Sequence, residues 1–79
     1  MLLEYIKTAM RKAHYEILQE EGYYGEIPGI DGVYAQADSL EKCRDELASV
    51  LEEWIFFRLT RNLSIPAIDG IELKIKSIA

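Results

Sequence analysis

The side chains that most often perform catalysis are scarce in this chain. His14 is the only histidine and Cys43 the only cysteine. A histidine acts as a general base only when a second group orients it, and the sequence shows no such group beside His14. Cys43 falls in an apolar stripe, and free cysteine is among the most buried residue types. We therefore interpret His14 as structural or exposed and Cys43 as a core residue, while the sequence leaves a Cys43–His14 dyad open.

Carboxylates near predicted turns form a second candidate site, because oxygen ligands could cluster there around Mg²⁺. They belong to Glu26, Asp31, Asp38 and Asp69. Turn geometry and helix capping already account for the three aspartates. The glycines lack the spacing of a phosphate-binding loop or a dinucleotide fingerprint. We therefore predict no catalytic residue, no metal site and no cofactor.

Charge and composition narrow the class of partner. Fourteen Asp and Glu oppose nine Lys and Arg, which gives a net charge of −5 and disfavours direct binding to nucleic acid. Such a surface favours a basic partner instead. The hydrophobic fraction of 49% is typical of a folded chain, and 79 residues predict a single domain over 1–79. A core of this size is marginal, so we expect a homodimer or higher oligomer.

The single cysteine suits a reducing, cytoplasmic location. The longest strongly apolar run, residues 54–57, is far too short to span a membrane. We therefore predict a cytoplasmic protein with no membrane association.

Hydrophobic periodicity predicts an α+β fold in the order α-β-β-β-α-β. The predicted elements are a helix over 2–12, strands over 14–19, 23–27 and 33–37, a helix over 39–60 and a final strand over 71–75. The first helix shows an apolar stripe of Leu3, Ile6, Met10 and Ala13. The long helix shows a stronger stripe of Leu40, Cys43, Leu47, Val50, Leu51 and Trp54. We expect a small antiparallel sheet covered by this long helix.

Two phenylalanines near the end of the long helix predict an additional apolar surface. Phe56 lies about 160° around the helix from Leu40, away from the core stripe. Together with Phe57 it widens the apolar area at this end, and such areas often mark interfaces. We therefore assign Phe56 and Phe57 to self-association. The alternative is that the following loop and strand bury Phe56 within the monomer.

An ordered series of short motifs runs through the middle of the chain. The motifs are Gly22-Tyr23, Ile27-Pro28, Ile30-Asp31-Gly32, Ser39-Leu40-Glu41 and Ile65-Pro66. In this order and spacing, residues 22–66 resemble the HicB family of antitoxins, the partners of HicA toxins in bacterial and archaeal toxin–antitoxin pairs. The sequence departs from the family pattern at three positions. Asp31 stands in place of a proline, Ala37 in place of a glycine and Lys42 in place of an acidic residue.

The resemblance implies a partial RNase-H-like fold without nuclease activity. It also implies a partner, a small basic HicA-type toxin that cleaves mRNA and is blocked when the antitoxin covers its active site. Many family members continue into a DNA-binding domain, which this sequence lacks, so we expect the short form of the family.

We weigh three functions on these grounds. The leading hypothesis is a toxin-neutralising binding module. The alternatives are a small metal-dependent hydrolase on an RNase-H-like core and an orphan structural or adaptor domain. For the toxin contact we predict Asp31, Tyr34 and Asp38, where acidic groups flank an aromatic ring; the simpler interpretation is that these residues only shape the turn and cap the helix.

Overall fold

The computed structural model describes residues 2–73 of the chain. The elements are α1 (Leu2–Arg11), β1 (His14–Leu18), β2 (Gly22–Glu26), β3 (Tyr34–Ala37) and α2 (Leu40–Thr60). The predicted order is thus confirmed from the first helix to the long helix. None of the helices in this part of the chain is long and apolar enough to cross a bilayer.

The three strands form one antiparallel sheet in the order β1-β2-β3. Its register places Tyr15 opposite Gly25, and Gly25 opposite Ala35. Gly25 is required here, because a Cβ at this position would lie 2.9 Å from the Tyr15 ring and 3.2 Å from the Cys43 sulfur. Gly22 has a φ of 95°, which supplies the left-handed backbone predicted for the β1–β2 turn.

Local sequence signals fix both ends of α2. The Ser39 hydroxyl oxygen accepts a hydrogen bond from the Lys42 backbone N–H at 3.2 Å and so caps the first turn. At the other end, Asn62 adopts a φ of 55°. The Leu63 N–H then donates to the Arg58 carbonyl at 2.8 Å, which is the Schellman pattern of helix termination. The predicted bounds of 39–60 are confirmed to within one residue.

The core lies between α2 and the sheet. One face of α2 buries residues at four-residue spacing, namely Cys43, Leu47, Leu51 and Ile55. The predicted stripe is confirmed at its centre, but Leu40 is 49% exposed and Ile55 joins the core. Trp54 is half-buried at the edge of this face.

The buried face of α1 differs from the predicted stripe. Tyr5, Thr8 and Ala9 are buried, whereas Leu3 is 71% exposed. The Tyr5 hydroxyl donates a hydrogen bond to the Pro66 carbonyl at 2.6 Å. Because the Tyr5 ring is buried and its hydroxyl is hydrogen-bonded, α1 packs on the core with its Tyr5 side and not with its Leu3 side. The local sequence pattern does not predict which of these sides is buried.

The predicted final strand falls partly outside the described residues. Asp69 and Gly70 have φ angles of 48° and 79°, which form a tight turn. This turn returns Ile71 to Ile68 in an isolated antiparallel bridge. Residues 71–73 join no strand of the three-stranded sheet. Residues 74–75 of the predicted strand lie outside the described part of the chain.

Candidate protein-binding face

Both faces of the sheet can be assigned from burial. Gly25 and Ala35 are buried, and the Cys43 thiol donates a hydrogen bond to the Ala35 carbonyl at 3.7 Å. This face of the sheet therefore lies under α2, and we call it the inner face. Because side chains alternate along a strand, the even-numbered strand residues point to the opposite side, which we call the outer face.

The outer face is acidic and aromatic. Its residues, read across the strands, are His14, Glu26 and Tyr34 in one row, Glu16, Tyr24 and Gln36 in the next, and Leu18 with Gly22 in the last. None of these residues is buried in the described part of the chain, and none is a lysine or arginine. The helices leave this face of the sheet uncovered.

Two tyrosines stack on the outer face. The rings of Tyr24 and Tyr34 have centroids 6.2 Å apart and planes inclined by 28°. Tyr34 is 58% exposed, so much of its ring faces solvent. Loss of hydration raises the pKa of Tyr24, and the nearby carboxylates of Glu26 and Glu16 raise it further. The Tyr24 hydroxyl is therefore harder to ionise than that of an ordinary tyrosine.

The structure separates the three residues predicted to contact the toxin. Tyr34 lies on the outer face at the start of β3, while Asp38 follows the end of β3, about 13 Å further along the chain. Asp38 also pairs with Lys42 at 3.3 Å. Asp31 instead lines a small cavity of about 190 Å³ together with Trp54 and other residues of the α2 end. Their common role in binding stays a prediction.

The two residues predicted for self-association lie on the surface of α2. Phe56 is 70% exposed and Phe57 is 48% exposed. The Arg61 guanidinium carbon lies 4.6 Å from the centre of the Phe57 ring and partly covers it. The described loop and bridge after α2 thus leave Phe56 uncovered, and its role in association stays a prediction.

The candidate catalytic groups do not converge. Cys43 is buried beneath the inner face, whereas His14 lies exposed on the outer face, so the sheet separates them. Burial raises the pKa of the Cys43 thiol, and the charge of Glu46 adds to this effect. Within residues 2–73, no three His, Cys, Asp or Glu side chains form a group that could hold a metal ion.

A separate groove of about 590 Å³ lies between α1 and α2, beside the start of β1. Its walls include Ile6, Met10 and Leu40, and its charged side chains are Lys7, Arg11, Arg44, Glu41 and Asp45. The mixture of signs gives this groove no single charge to match with a partner. It contains neither His14 nor Cys43 and offers no arrangement suited to nucleophilic or acid–base chemistry.

The sequence does not predict that Glu16, Tyr24 and Glu26 lie together with Tyr34 in one cluster on the outer face. The alternation within each strand places Tyr24 and Glu26 on one side. Joining them to Glu16 and Tyr34 requires the register of two strand pairs. That register depends on the turn geometry at Gly22 and at residues 27–33, which the sequence specifies only partly.

Comparisons with known proteins place the chain in a family. Residues 4–66, which include every residue of the outer face, match the family described as UPF0150-like. The chain is similar to the UPF0150 protein ssl0259 of Synechocystis sp., with 33% identity over 60 residues that cover 76% of this chain and 82% of the relative. It is also similar to the crystal structure of TTHA0281 from Thermus thermophilus, with a TM-score of 0.89 and 38% identity over 95% of this chain and 94% of the other. The chain therefore belongs to the UPF0150-like family.

Proposed function

We propose that the chain is an antitoxin-type binding module that neutralises a small basic HicA-type toxin. In this proposal it covers the active site of the toxin and competes with RNA, and it catalyses no reaction itself. The residues that resemble HicB antitoxins, 22–66, all lie within the stretch 4–66 that matches the UPF0150-like family. The family match and the resemblance therefore concern the same part of the chain.

The observation that carries this proposal is the outer face of the sheet, which residues 2–73 leave uncovered. It presents Glu16 and Glu26 beside two tyrosines and has no lysine or arginine among the described residues. A toxin that binds RNA must expose cationic side chains, and complementary charge accelerates encounter and aligns the two surfaces. Tyrosine adds contact area at a small cost in side-chain entropy. An acidic, aromatic face of this kind is suited to compete with RNA for a basic surface.

The alternative of a metal-dependent hydrolase has less support. It requires several carboxylates at one place, as in other sites that bind Mg²⁺. Here Glu26 lies on the outer face, Asp38 pairs with Lys42, and Asp69 pairs with Lys12 at 2.9 Å. This dispersal favours a binding module over an enzyme.

The test uses the purified chain and the small basic protein encoded beside its gene. We expect the two proteins to form a complex, and RNA cleavage by the basic protein to fall in proportion to the complex formed. Association should slow as salt is raised, because screening weakens attraction between exposed charges. If the neighbouring protein cleaves RNA equally well with and without the chain, the proposed function is wrong. If no basic partner binds at all, an adaptor role gains support.

Charge reversal identifies the contact surface. We expect Glu26→Lys to weaken toxin binding by about fivefold or more, since it removes one favourable charge and adds a repulsive one. Glu46→Lys makes the same charge change on the exposed side of α2, away from Phe56 and Phe57, and serves as the matched control. Asp31→Lys tests the turn predicted from sequence. A loss of affinity that is equal for Glu26→Lys and Glu46→Lys would reflect net charge alone and would contradict a contact at the outer face.

A further inference from the structure

The stacked tyrosines of the outer face have no cation of their own chain over them in the described residues. Tyr24 and Tyr34 stack with their centroids 6.2 Å apart, and the strand register places Glu16 opposite Tyr24 and Glu26 opposite Tyr34. Each ring thus has a carboxylate beside it on the neighbouring strand. Every lysine and arginine among residues 2–73 lies in a helix or directly next to one. No lysine or arginine of the described chain therefore pairs with this cluster.

Elsewhere the chain does place guanidinium groups over its aromatic rings. The Arg58 guanidinium carbon lies 5.2 Å from the centre of the Trp54 ring, and that of Arg61 lies 4.6 Å from the centre of the Phe57 ring. Both contacts use a planar cation on the face of a π-system. The outer face presents the aromatic and anionic half of such a contact, without a cation from the described part of the chain.

Arginine fits this cluster better than lysine. A guanidinium is planar and weakly hydrated, so it stacks on a ring while its N–H groups donate to carboxylates in its own plane. The Tyr24 and Tyr34 rings offer the stacking surface, and Glu16 and Glu26 offer acceptors at its border. A lysine ammonium is a compact, strongly hydrated charge and uses only part of this arrangement.

We propose that the outer face is a docking surface for an arginine of a basic protein partner, whose guanidinium stacks on the Tyr24–Tyr34 pair and hydrogen-bonds to Glu16 or Glu26. This inference rests on the proposed function and names the chemistry by which the toxin is recognised. Tyr34 should contribute most to the preference for arginine over lysine, because it is the more exposed of the two rings.

The direct test uses a blocked Gly-Arg-Gly peptide as the probe and backbone NMR shifts of the full chain as the readout. We expect saturable shifts at residues 16, 24, 26 and 34. A blocked peptide with citrulline in place of arginine should bind about two- to fivefold more weakly, the range of one exposed cation–π contact, and the lysine peptide should bind with intermediate affinity. Citrulline keeps the planar shape without the charge, so it separates stacking from electrostatics.

Two variants and a matched control connect these shifts to the named residues. Tyr34→Leu removes the exposed ring, and Glu26→Gln removes an anionic acceptor at nearly constant shape. With either variant, the arginine peptide should bind no more tightly than the lysine peptide. Phe56→Leu removes a ring that is 70% exposed on α2 and should leave the preference unchanged. Equal binding of the arginine and lysine peptides, or shifts confined to other residues, would overturn the proposal.

Further outcomes separate this inference from the proposed function. If the toxin complex forms with unchanged affinity in both Tyr34→Leu and Glu26→Gln, the arginine site is wrong and the antitoxin function stands. If the arginine peptide binds as expected but the toxin does not, the proposed function fails and the site stands. If Tyr34→Leu converts an oligomer of the chain into monomers, the outer face is covered by a second copy, and the proposal is overturned.

Discussion

Cys43 shows how closely the residues of the core constrain one another. Its side chain is fully buried, its thiol donates to the Ala35 carbonyl, and its sulfur lies near the position that a Cβ on Gly25 would occupy. The glycine lets α2 approach the sheet at this point. The thiol thus acts as a small apolar group with one weak hydrogen bond, which agrees with the interpretation made from sequence.

We expect Cys43 to resist alkylation by iodoacetamide in the folded chain at pH 8. Burial raises the pKa of its thiol above the usual value of 9.0, so the reactive thiolate is rarer than in an exposed cysteine. Because the folded state favours the protonated thiol, this shift contributes to folding stability below pH 9, and that contribution is lost as the pH rises through the folded pKa. A folding free energy of about 3–5 kcal/mol implies labelling at least about a hundredfold slower than in urea. Rapid stoichiometric labelling without urea would contradict this.

At the scale of the elements, α2 is the part of the fold that the sequence predicts best. The signals at its two ends, Ser39 and Asn62, act through hydrogen bonds within a few residues of themselves. Its apolar stripe is long enough for the period to be read without knowledge of the neighbouring elements. A prediction that depends on local chemistry alone can be made from one sequence.

We expect Leu47→Ala to lower the free energy of unfolding by about 2–5 kcal/mol. Leu47 is fully buried at the middle of the α2 face, so truncation leaves a cavity between helix and sheet. Urea denaturation monitored by circular dichroism measures the change. Leu3→Ala truncates a leucine of α1 that is 71% exposed and should cost much less. Equal losses in the two variants would contradict the assigned packing.

The elements predicted less well depend on distant parts of the chain. The buried face of α1 is set by Tyr5, whose partner Pro66 is 61 positions away in the sequence. The alternation after residue 70 favours a strand, but the turn at Asp69 and Gly70 pairs Ile71 with Ile68. Likewise, the outer face unites Glu16 with Tyr34 only through two strand registers. Such contacts leave no mark in the local pattern, so the sequence predicts only Tyr34 of the candidate site.

At the scale of the whole molecule, charge is divided between the helices and the sheet. The strands and the β1–β2 turn carry Glu16, Glu20, Glu21 and Glu26 without a lysine or arginine, whereas the described cations lie in or beside helices. This division gives the molecule an anionic side and a side of mixed charge. We therefore expect a basic partner to be steered towards the outer face during encounter, before any close contact forms.

The exposed end of α2 leads to a prediction about assembly. Phe56, Phe57 and Leu63 are 70%, 48% and 42% exposed, and they lie near one another in the sequence at one end of the helix. Exposed apolar surface of this kind is often an interface, and a chain with a marginal core gains stability from covering it. We expect the chain to form a homodimer or higher oligomer at micromolar concentration.

Sedimentation equilibrium of Phe56→Glu tests this assembly. The substitution places a charge in the apolar surface, where it would lose hydration without a partner, so the variant should sediment as a monomer. Its fold should persist, because Phe56 makes little contact with the core of its own chain. Tyr34→Leu alters the outer face instead and should leave the oligomer intact. A wild-type chain that is monomeric at every concentration, or a Phe56→Glu variant that associates as strongly as wild type, would show that this end of α2 is not the interface. Because the outer face and the end of α2 are different surfaces, self-association there would leave the outer face free for the basic partner.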